Sequence, residues 1–224
     1  MRIGSRRWLQ YIGESLGILR DVYHPDRNVT DRTDVVPASP ELQALADDRA
    51  AILGIRSVDL LVWEHPFINA LPLGDRTGGT LVVSTRFVDF FEPSALDAAL
   101  THELGHIRAE HGGRYFRWIV VGLFVWCWVV LLHRSRLTTS GMAGVVLLAL
   151  LAIARRYERE ADEHAMLVLD DPAQLAQAIA AVRSGDPTID VHTFRPSSSS
   201  RLRALFSVYP DPSRRFPDVF SPAK

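Results

Sequence analysis

Two long runs without charge dominate the hydropathy pattern of this chain. Residues 118–132 (WIVVGLFVWCWVVLL) and 137–154 (LTTSGMAGVVLLALLAIA) contain no charged side chain, and the four residues HRSR separate them. The second run has the length of a membrane-spanning helix, which needs about 20 apolar residues, and Phe116 and His133 extend the shorter first run toward it. A helical hairpin buried inside a soluble protein is the alternative. Two adjacent all-round apolar runs favour a transmembrane hairpin over residues 116–154.

The rest of the chain reads as short elements of an α+β fold in which helices predominate. Residues 57–64 and 80–88 are rich in β-branched residues and predict strands, with a proline- and glycine-containing connection between them. The stretch EPSALDAALTHELGHIRAEHGG predicts a helix of four or five turns, and a further helix is predicted from residue 155. Ser94 and Asp97 would cap the first of these helices, and two glycines at 112 and 113 would end or bend it.

The net charge and the cysteine content exclude several kinds of partner and site. Lys+Arg 25 against Asp+Glu 26 leaves a formal net charge of −1, so the chain lacks the basic field typical of nucleic-acid partners. The single cysteine, Cys127, excludes an internal disulfide framework and any multi-cysteine zinc site. A bound metal would therefore need histidine and carboxylate ligands.

Arginines on both sides of the hairpin predict its orientation. Three precede the first uncharged run and three follow the second: Arg108, Arg114, Arg117, Arg155, Arg156 and Arg159. The hinge carries two, Arg134 and Arg136. The positive-inside bias then places both flanking segments in the cytoplasm, as parts of a multi-pass protein of the cell (inner) membrane. The interrupted apolar pattern of the first residues, unlike that of a secretory signal, favours the same orientation.

Residues 102–106 (HELGH) predict a metal site on the first of these helices. His102 and His106 are four residues apart and therefore lie on one helical face, where both imidazoles can reach a single tetrahedral zinc ion. Glu103 lies beside the first histidine and can act as general base on water that the metal has activated, and later as proton donor. Two histidines and a glutamate on a solvated helix without metal are the alternative interpretation.

A catalytic zinc site needs a third protein ligand. The metzincin pattern would place glycine and histidine where this chain has Ala109 and Gly112, and His111 is a poor substitute. Glu158 and Asp162, again four residues apart, are better placed: Glu158 as ligand, with Asp162 accepting the free ring N–H of a ligand histidine. Either Glu160 or Asp162 as the ligand remains open. Among the other polar residues of this helix, solvent exposure is expected for Glu160, Glu163 and His164.

These motifs together resemble the HtpX-type membrane metalloendopeptidases, a family that includes the CAAX prenyl proteases. The resemblance covers roughly residues 50–216 and rests on HELGH, two apolar helices and then E-x-x-A-D at residues 158–162. INALPLG (68–74) is similar to the family's segment before the strand that runs beside substrate, and LFSVYPDPSRR to its C-terminal tail. The resemblance implies a zincin-like metallopeptidase domain interrupted by a two-helix transmembrane hairpin.

The same resemblance implies roles for particular residues. It makes the chain a gluzincin with one zinc per chain, held by His102, His106 and Glu158, with Glu103 as catalytic carboxylate. Asn69 would lie in the substrate cleft, and Arg215 would match the arginine of the family's tail. Tyr209 stands where the family usually has a histidine that faces the reacting carbonyl, and its hydroxyl can donate a hydrogen bond to an oxyanion.

Four segments are therefore expected. Residues 1–40 would form an amphipathic helix and a linker, and residues 41–115 the first part of the peptidase domain with the zinc helix. Residues 116–154 would form the hairpin, and residues 155–224 the second part of the domain with the third ligand and the tail.

The expected function is zinc-dependent cleavage of polypeptides at a lipid bilayer. Membrane proteins are the implied substrates, in the manner of quality control, and an extended substrate would add to an edge strand near residues 80–86. One alternative is a membrane-tethered binding or regulatory protein that keeps the zinc fold without turnover, which the departure at Tyr209 would favour. A soluble helical protein without metal is another.

Overall fold

A four-stranded sheet forms one layer of the structure. Its strands are β1 (Val35–Pro37), β2 (Val58–Trp63), β3 (Ala70–Asp75) and β4 (Gly78–Ser84), in the spatial order β1-β2-β4-β3. β2 and β4 are parallel, whereas β1 and β3 run antiparallel to their neighbours. Thus β3 lies at one edge of the sheet and β4 lies inside it.

Helices make up most of the remaining structure, which is a computed structural model that describes residues 34–132, 136–188 and 216. The predicted helix near the beginning of the chain, Tyr209 and Arg215 lie outside these residues. The described helices are α1 (Pro40–Ile52), α2 (Thr85–Phe90), α3 (Pro93–Arg108), α4 (His111–Leu132), α5 (Arg136–Met166) and α6 (Ala173–Ser184).

Two predictions about the sheet are wrong. The connection between the predicted strands contains β3, and β4 ends at Ser84, whose hydroxyl accepts a hydrogen bond from the backbone N–H of Phe87 at 3.0 Å and caps α2. Pro72 and Gly74 disguise β3 in the sequence, yet an edge strand tolerates proline because one side of it needs no ladder hydrogen bond. Because β3 covers β4, substrate cannot add to residues 80–86 as predicted.

Helix α3 joins the sheet to the rest of the domain. Leu100, Leu104 and Ile107 lie on one side of α3 and are buried in the main core with Leu60 and Leu81 of the sheet. Each such side chain contributes about 1.5–3 kcal/mol by leaving water. This packing leaves His102, Glu103 and His106 of α3 to line a cleft instead of the main core.

The ends of α3 differ from the prediction. Pro93 is its first residue and the N-cap side chain makes no capping hydrogen bond, so the predicted Ser94–Asp97 cap is wrong. Asp97 instead accepts two hydrogen bonds from Arg49 of α1, at 2.8 and 2.7 Å. The break after α3 lies at Glu110, which adopts a left-handed φ of 58°, and the predicted glycines belong to α4.

The two apolar runs form a hairpin of long helices. In the most apolar window of α4 no residue is buried, and in that of α5 the buried share is 11%. Both helices are long and apolar enough to cross a membrane. This exposure contradicts the alternative of a hairpin buried in a soluble core. Helix α5 also continues without a break to Met166, where a separate helix from residue 155 was predicted.

Candidate metal centre

Helices α3 and α5 bring three ligand atoms together. The Nε2 atoms of His102 and His106 are 3.2 Å apart, and the carboxylate oxygens of Glu158 lie 3.6 Å from the first and 3.7 Å from the second. A tetrahedral zinc ion with ligand distances of about 2.0–2.1 Å separates its ligand atoms by about 3.3–3.4 Å. The observed triangle therefore has the size that one such ion needs.

A close contact between the helices sets this triangle. A Cβ atom on Gly105 would lie 2.8 Å from the carbonyl oxygen of Ala161 and 3.2 Å from its Cα atom. The small pair lets the two backbones approach at the level of the ligands. Glu158 precedes Ala161 by three residues, so it lies on nearly the same side of α5 and faces the histidines.

The cluster contains more carboxylates than its neutral histidines can balance, so it favours a bound cation. The Oε2 atom of Glu158 is buried and accepts no hydrogen bond from the residues that the structure describes. The carboxyl groups of Glu103 and Asp162 lie beside the same imidazoles, so neutral histidines would leave the cluster negatively charged. Because a buried carboxylate without a partner is costly, the donor set fits a divalent metal.

Asp162 lies behind the first histidine. Its Oδ1 atom is 3.0 Å from Nδ1 of His102, the ring nitrogen opposite Nε2. A carboxylate at this position fixes the ring so that Nδ1 carries the hydrogen and Nε2 faces the ligand triangle. The structure thus places Asp162 where the sequence predicted it, and Glu158 rather than Asp162 or Glu160 in the ligand triangle.

The pKa values of His102 and Glu103 reflect the burial and the charges of this cluster. Burial lowers the pKa of His102, but the neighbouring carboxylates of Asp162 and Glu158 outweigh it and raise the value to about 10. Burial raises the pKa of Glu103 to about 7; the Glu158 carboxylate also raises it and His102 opposes. In the absence of metal, a proton on His102 thus supplies the positive charge that the carboxylates demand.

A cleft of about 540 Å³ opens onto the cluster. Glu103 lines it, and so does Asn69, whose Nδ2 atom is buried without a hydrogen-bond partner among the described residues. The backbone of Asn69 is fixed by Ser84, which accepts and donates hydrogen bonds at 3.1 and 2.9 Å. Most of the remaining lining is apolar and comes from α2, α3, α6 and the residue after α2: Phe87, Phe91, Ala99, Leu175, Ala178 and Ile179. Arg183 of α6 also lines the cleft.

Residues outside the ligand set also reach the cluster, and sequence reasoning missed them. Glu160 was expected in solvent, but it accepts hydrogen bonds from Arg114 at 3.0 and 3.2 Å and lies 3.3 Å from His111. His164 is half-buried, whereas Glu163 is exposed as expected. In the sequence, His111 follows His106 by five residues. Helical periodicity does not predict a contact between them, because α3 ends before His111.

Comparison with known proteins agrees with this geometry. The profile of Peptidase family M48 matches residues 38–218, which is most of the chain. The chain belongs to peptidase family M48. This confirms the resemblance to the HtpX-type metallopeptidases, and membership of M48 implies a metal cofactor.

Individual relatives of this M48 chain are distant. It is 28% identical over 155 residues to the plastoglobule-localized metallopeptidase 48 of Arabidopsis thaliana, covering 66% of this chain and 42% of that protein. It is 24% identical over 209 residues to a protease HtpX homolog of Moorella thermoacetica, covering 79% and 70%. The chain thus spans less than half the length of the first relative and about two thirds of the second.

A solved structure shares the fold of this M48 chain. The crystal structure of S. mikatae Ste24p superposes with a TM-score of 0.63 at 14% identity, covering 96% of this chain and 57% of the other. The likeness extends over the sheet, the metal-centre helices and the hairpin. It confirms the predicted fold class, a mainly helical zincin-like domain with two apolar helices inserted in it.

Proposed function

We propose that this chain is a zinc-dependent endopeptidase that a two-helix hairpin anchors in a membrane. The observation that carries the proposal is the convergence of His102, His106 and Glu158 on one point of a cleft that Glu103 also lines. Two imidazole nitrogens and one carboxylate oxygen form a set typical of catalytic zinc, because they leave a fourth position open. Zinc would be bound at one ion per chain.

The chain's own residues divide the work of hydrolysis. When bound, the metal supplies a Lewis acid that polarises a substrate carbonyl and acidifies water. Glu103, which lines the cleft beside the ligand triangle, would take the proton of the attacking water and give it to the leaving amine. Asp162 keeps His102 in the required tautomer. We assign to Tyr209 a hydrogen bond to the oxyanion.

Edge strand β3 supports binding of an extended polypeptide. Among the described residues β3 pairs with β4 alone, and its residues Ala70 and Pro72 line the cleft beside Asn69. A substrate strand can add to such an edge through backbone hydrogen bonds, so sequence-tolerant cleavage is expected. The buried amide of Asn69 is a donor for a substrate carbonyl, and the apolar wall beyond it favours apolar side chains. Arg215 belongs to the tail that we place beside this cleft.

The hairpin supports a membrane location. Its outward-facing apolar surface would be in contact with lipid, so that residues 116–154 separate two parts of the peptidase domain, 41–115 and 155–224. The flanking arginines favour a cytoplasmic active site in a multi-pass protein of the inner membrane. Membrane proteins at that surface, cleaved in quality control, are the proposed substrates, and nucleic acid is not among the partners.

Proteolysis by the full chain in detergent or nanodiscs tests the proposal. Casein and a membrane fraction are incubated with the wild type, with and without a chelator, and with Glu103→Gln. The variant keeps the ligand triangle, so it is expected to bind about one zinc per chain, yet to lose cleavage. Glu163→Gln, an exposed glutamate of α5, is the matched control and keeps activity.

Two further results complete this test. His106→Ala is expected to lose both metal and activity, because it removes a ligand. Cleavage that persists with the chelator or in Glu103→Gln contradicts the enzyme assignment. Wild type that binds zinc but leaves every substrate intact supports the regulatory alternative instead.

A further inference from the structure

A buried histidine without a place in the ligand triangle lies against the metal centre. His111, the first residue of α4, is 4% exposed, and its Nδ1 atom is 2.9 Å from Nδ1 of His106. Its ring stacks on Tyr157 of α5, with 4.4 Å between centroids and 14° between planes. An imidazole held this firmly beside a ligand can control that ligand's orientation.

The ligand role of His106 determines where the hydrogens lie. Its Nε2 atom faces the other ligand atoms, at 3.2 Å from His102 and 3.7 Å from Glu158. A neutral imidazole carries one hydrogen, so Nε2 can be the ligand atom only if the hydrogen is on Nδ1. That N–H points to Nδ1 of His111, which must then accept. The hydrogen of His111 is consequently on its Nε2 atom.

Glu160 is the acceptor for this second N–H. Its Oε2 atom lies 3.3 Å from Nε2 of His111, within ion-pair distance, and that buried nitrogen makes no hydrogen bond of standard geometry with any described residue, so Glu160 is the acceptor within reach. Glu160 is held in turn by Arg114 of α4, which donates to both carboxylate oxygens and also to the carbonyl of Ala109 at 3.1 Å. Every group from Arg114 to His106 thus has one consistent hydrogen-bonding role.

We propose that His111 is a positioning residue for the metal ligand His106, and that Glu160 and Arg114 hold His111 in its accepting orientation. The two histidine ligands are then fixed from behind in different ways: His102 directly by a carboxylate, His106 through an intervening imidazole. Orientation of this kind governs metal affinity and the geometry of the bound ion. The inference rests on the proposed metal site and adds to it the residues that tune it.

Metal binding by the full chain tests this role without relying on proteolysis. His111→Phe keeps a ring against Tyr157 but removes both nitrogens. His65→Phe is the matched control, because His65 is also buried, at 6% exposed, and stacks on Trp63 with 4.1 Å between centroids. Zinc affinity is measured by competition with a chromophoric chelator, the geometry of bound Co²⁺ by its visible absorption, and the fold by the unfolding midpoint of the metal-free protein.

The expected result is a loss of zinc affinity of about 10–100-fold in His111→Phe, with an altered Co²⁺ spectrum, and neither change in His65→Phe. Glu160→Ala, at a partly exposed position, is expected to lower affinity in the same direction and decides the question if His111→Phe does not fold. Affinity and spectrum that stay at wild-type values in the folded variants overturn the inference. Wild type that binds no metal refutes the proposed function instead.

Discussion

Replacing Gly105 by alanine tests how the two metal-centre helices are held together. In the structure a Cβ at this position would lie 2.8 Å from the carbonyl oxygen of Ala161, and backbone cannot move aside as a flexible side chain can. To reach an ordinary contact of 3.4 Å, α3 and α5 must separate by about 0.6 Å, the difference between these distances. Glu158 would move away from both histidines with its helix.

The magnitude follows from two opposing effects. Alanine favours a helix interior over glycine by about 1 kcal/mol, whereas overpacking costs about 1–3 kcal/mol. Gly113→Ala isolates the first effect, because Gly113 is also helical and a Cβ there meets nothing within 4 Å. We therefore expect Gly105→Ala to be less stable than Gly113→Ala by about 1–3 kcal/mol. A 0.6 Å shift exceeds the tolerance of about 0.2 Å for a metal site, so zinc affinity should fall at least roughly tenfold.

Urea unfolding of the metal-free protein in detergent measures the stability difference, and chelator competition measures the affinity. Gly113→Ala should match the wild type in affinity. If Gly105→Ala binds zinc as tightly as the wild type and is as stable as Gly113→Ala, the close approach of the helices does not set the ligand triangle.

Three other outcomes are expected. Arg49→Met, which breaks the paired hydrogen bonds to Asp97 between α1 and α3, should lower the free energy of unfolding by about 1–3 kcal/mol in urea titration. Because the pKa of His102 is raised to about 10, its proton stabilises the metal-free fold below the unfolded value near 6.5, and this contribution is lost as pH rises toward 10. Zinc displaces that proton, so zinc affinity should rise roughly tenfold per pH unit between about 7 and 9, and a flat profile in chelator competition would contradict the shift. Leu123→Arg, at an outward position of α4 that is 58% exposed, should release the protein from membranes on alkaline carbonate extraction, since a central arginine costs about 2.5–3.5 kcal/mol; full retention would speak against a spanning helix.

Local periodicity was enough to predict which side chains would share a helical face at the candidate metal centre. The i, i+4 spacing that pairs His102 with His106 holds on any helix, and the same spacing separates Glu158 and Asp162 on α5. The apolar runs likewise predicted two helices by length alone. Joining the two helices in one site rested on the need of a catalytic zinc for a third ligand and on the family resemblance, because nothing local encodes the contact of Gly105 with Ala161.

The errors share one physical cause, which is that tertiary contacts override local patterns. Pro72 is typical of a connection, yet an edge strand accommodates it. Glu110 takes the left-handed conformation that the neighbouring glycines were expected to supply. Glu160 was expected in solvent because it is charged, but Arg114 and His111 of α4 contact it. Contacts between residues that are far apart in the sequence cannot be predicted from the local pattern of residue types.

Helix α5 is one rod of 31 residues that carries both an apolar surface and Glu158. If the hairpin spans a membrane as we propose, this one helix connects the lipid-facing surface to the metal centre. A bilayer that is too thick or too thin changes the tilt of such a helix. Pivoting by about 10° at the Ala161 contact would displace the Cα atom of Glu158, three residues away, by about 0.8 Å. Under the proposed function, the thickness of the membrane would therefore change the rate of proteolysis through the tilt of a single unbroken helix.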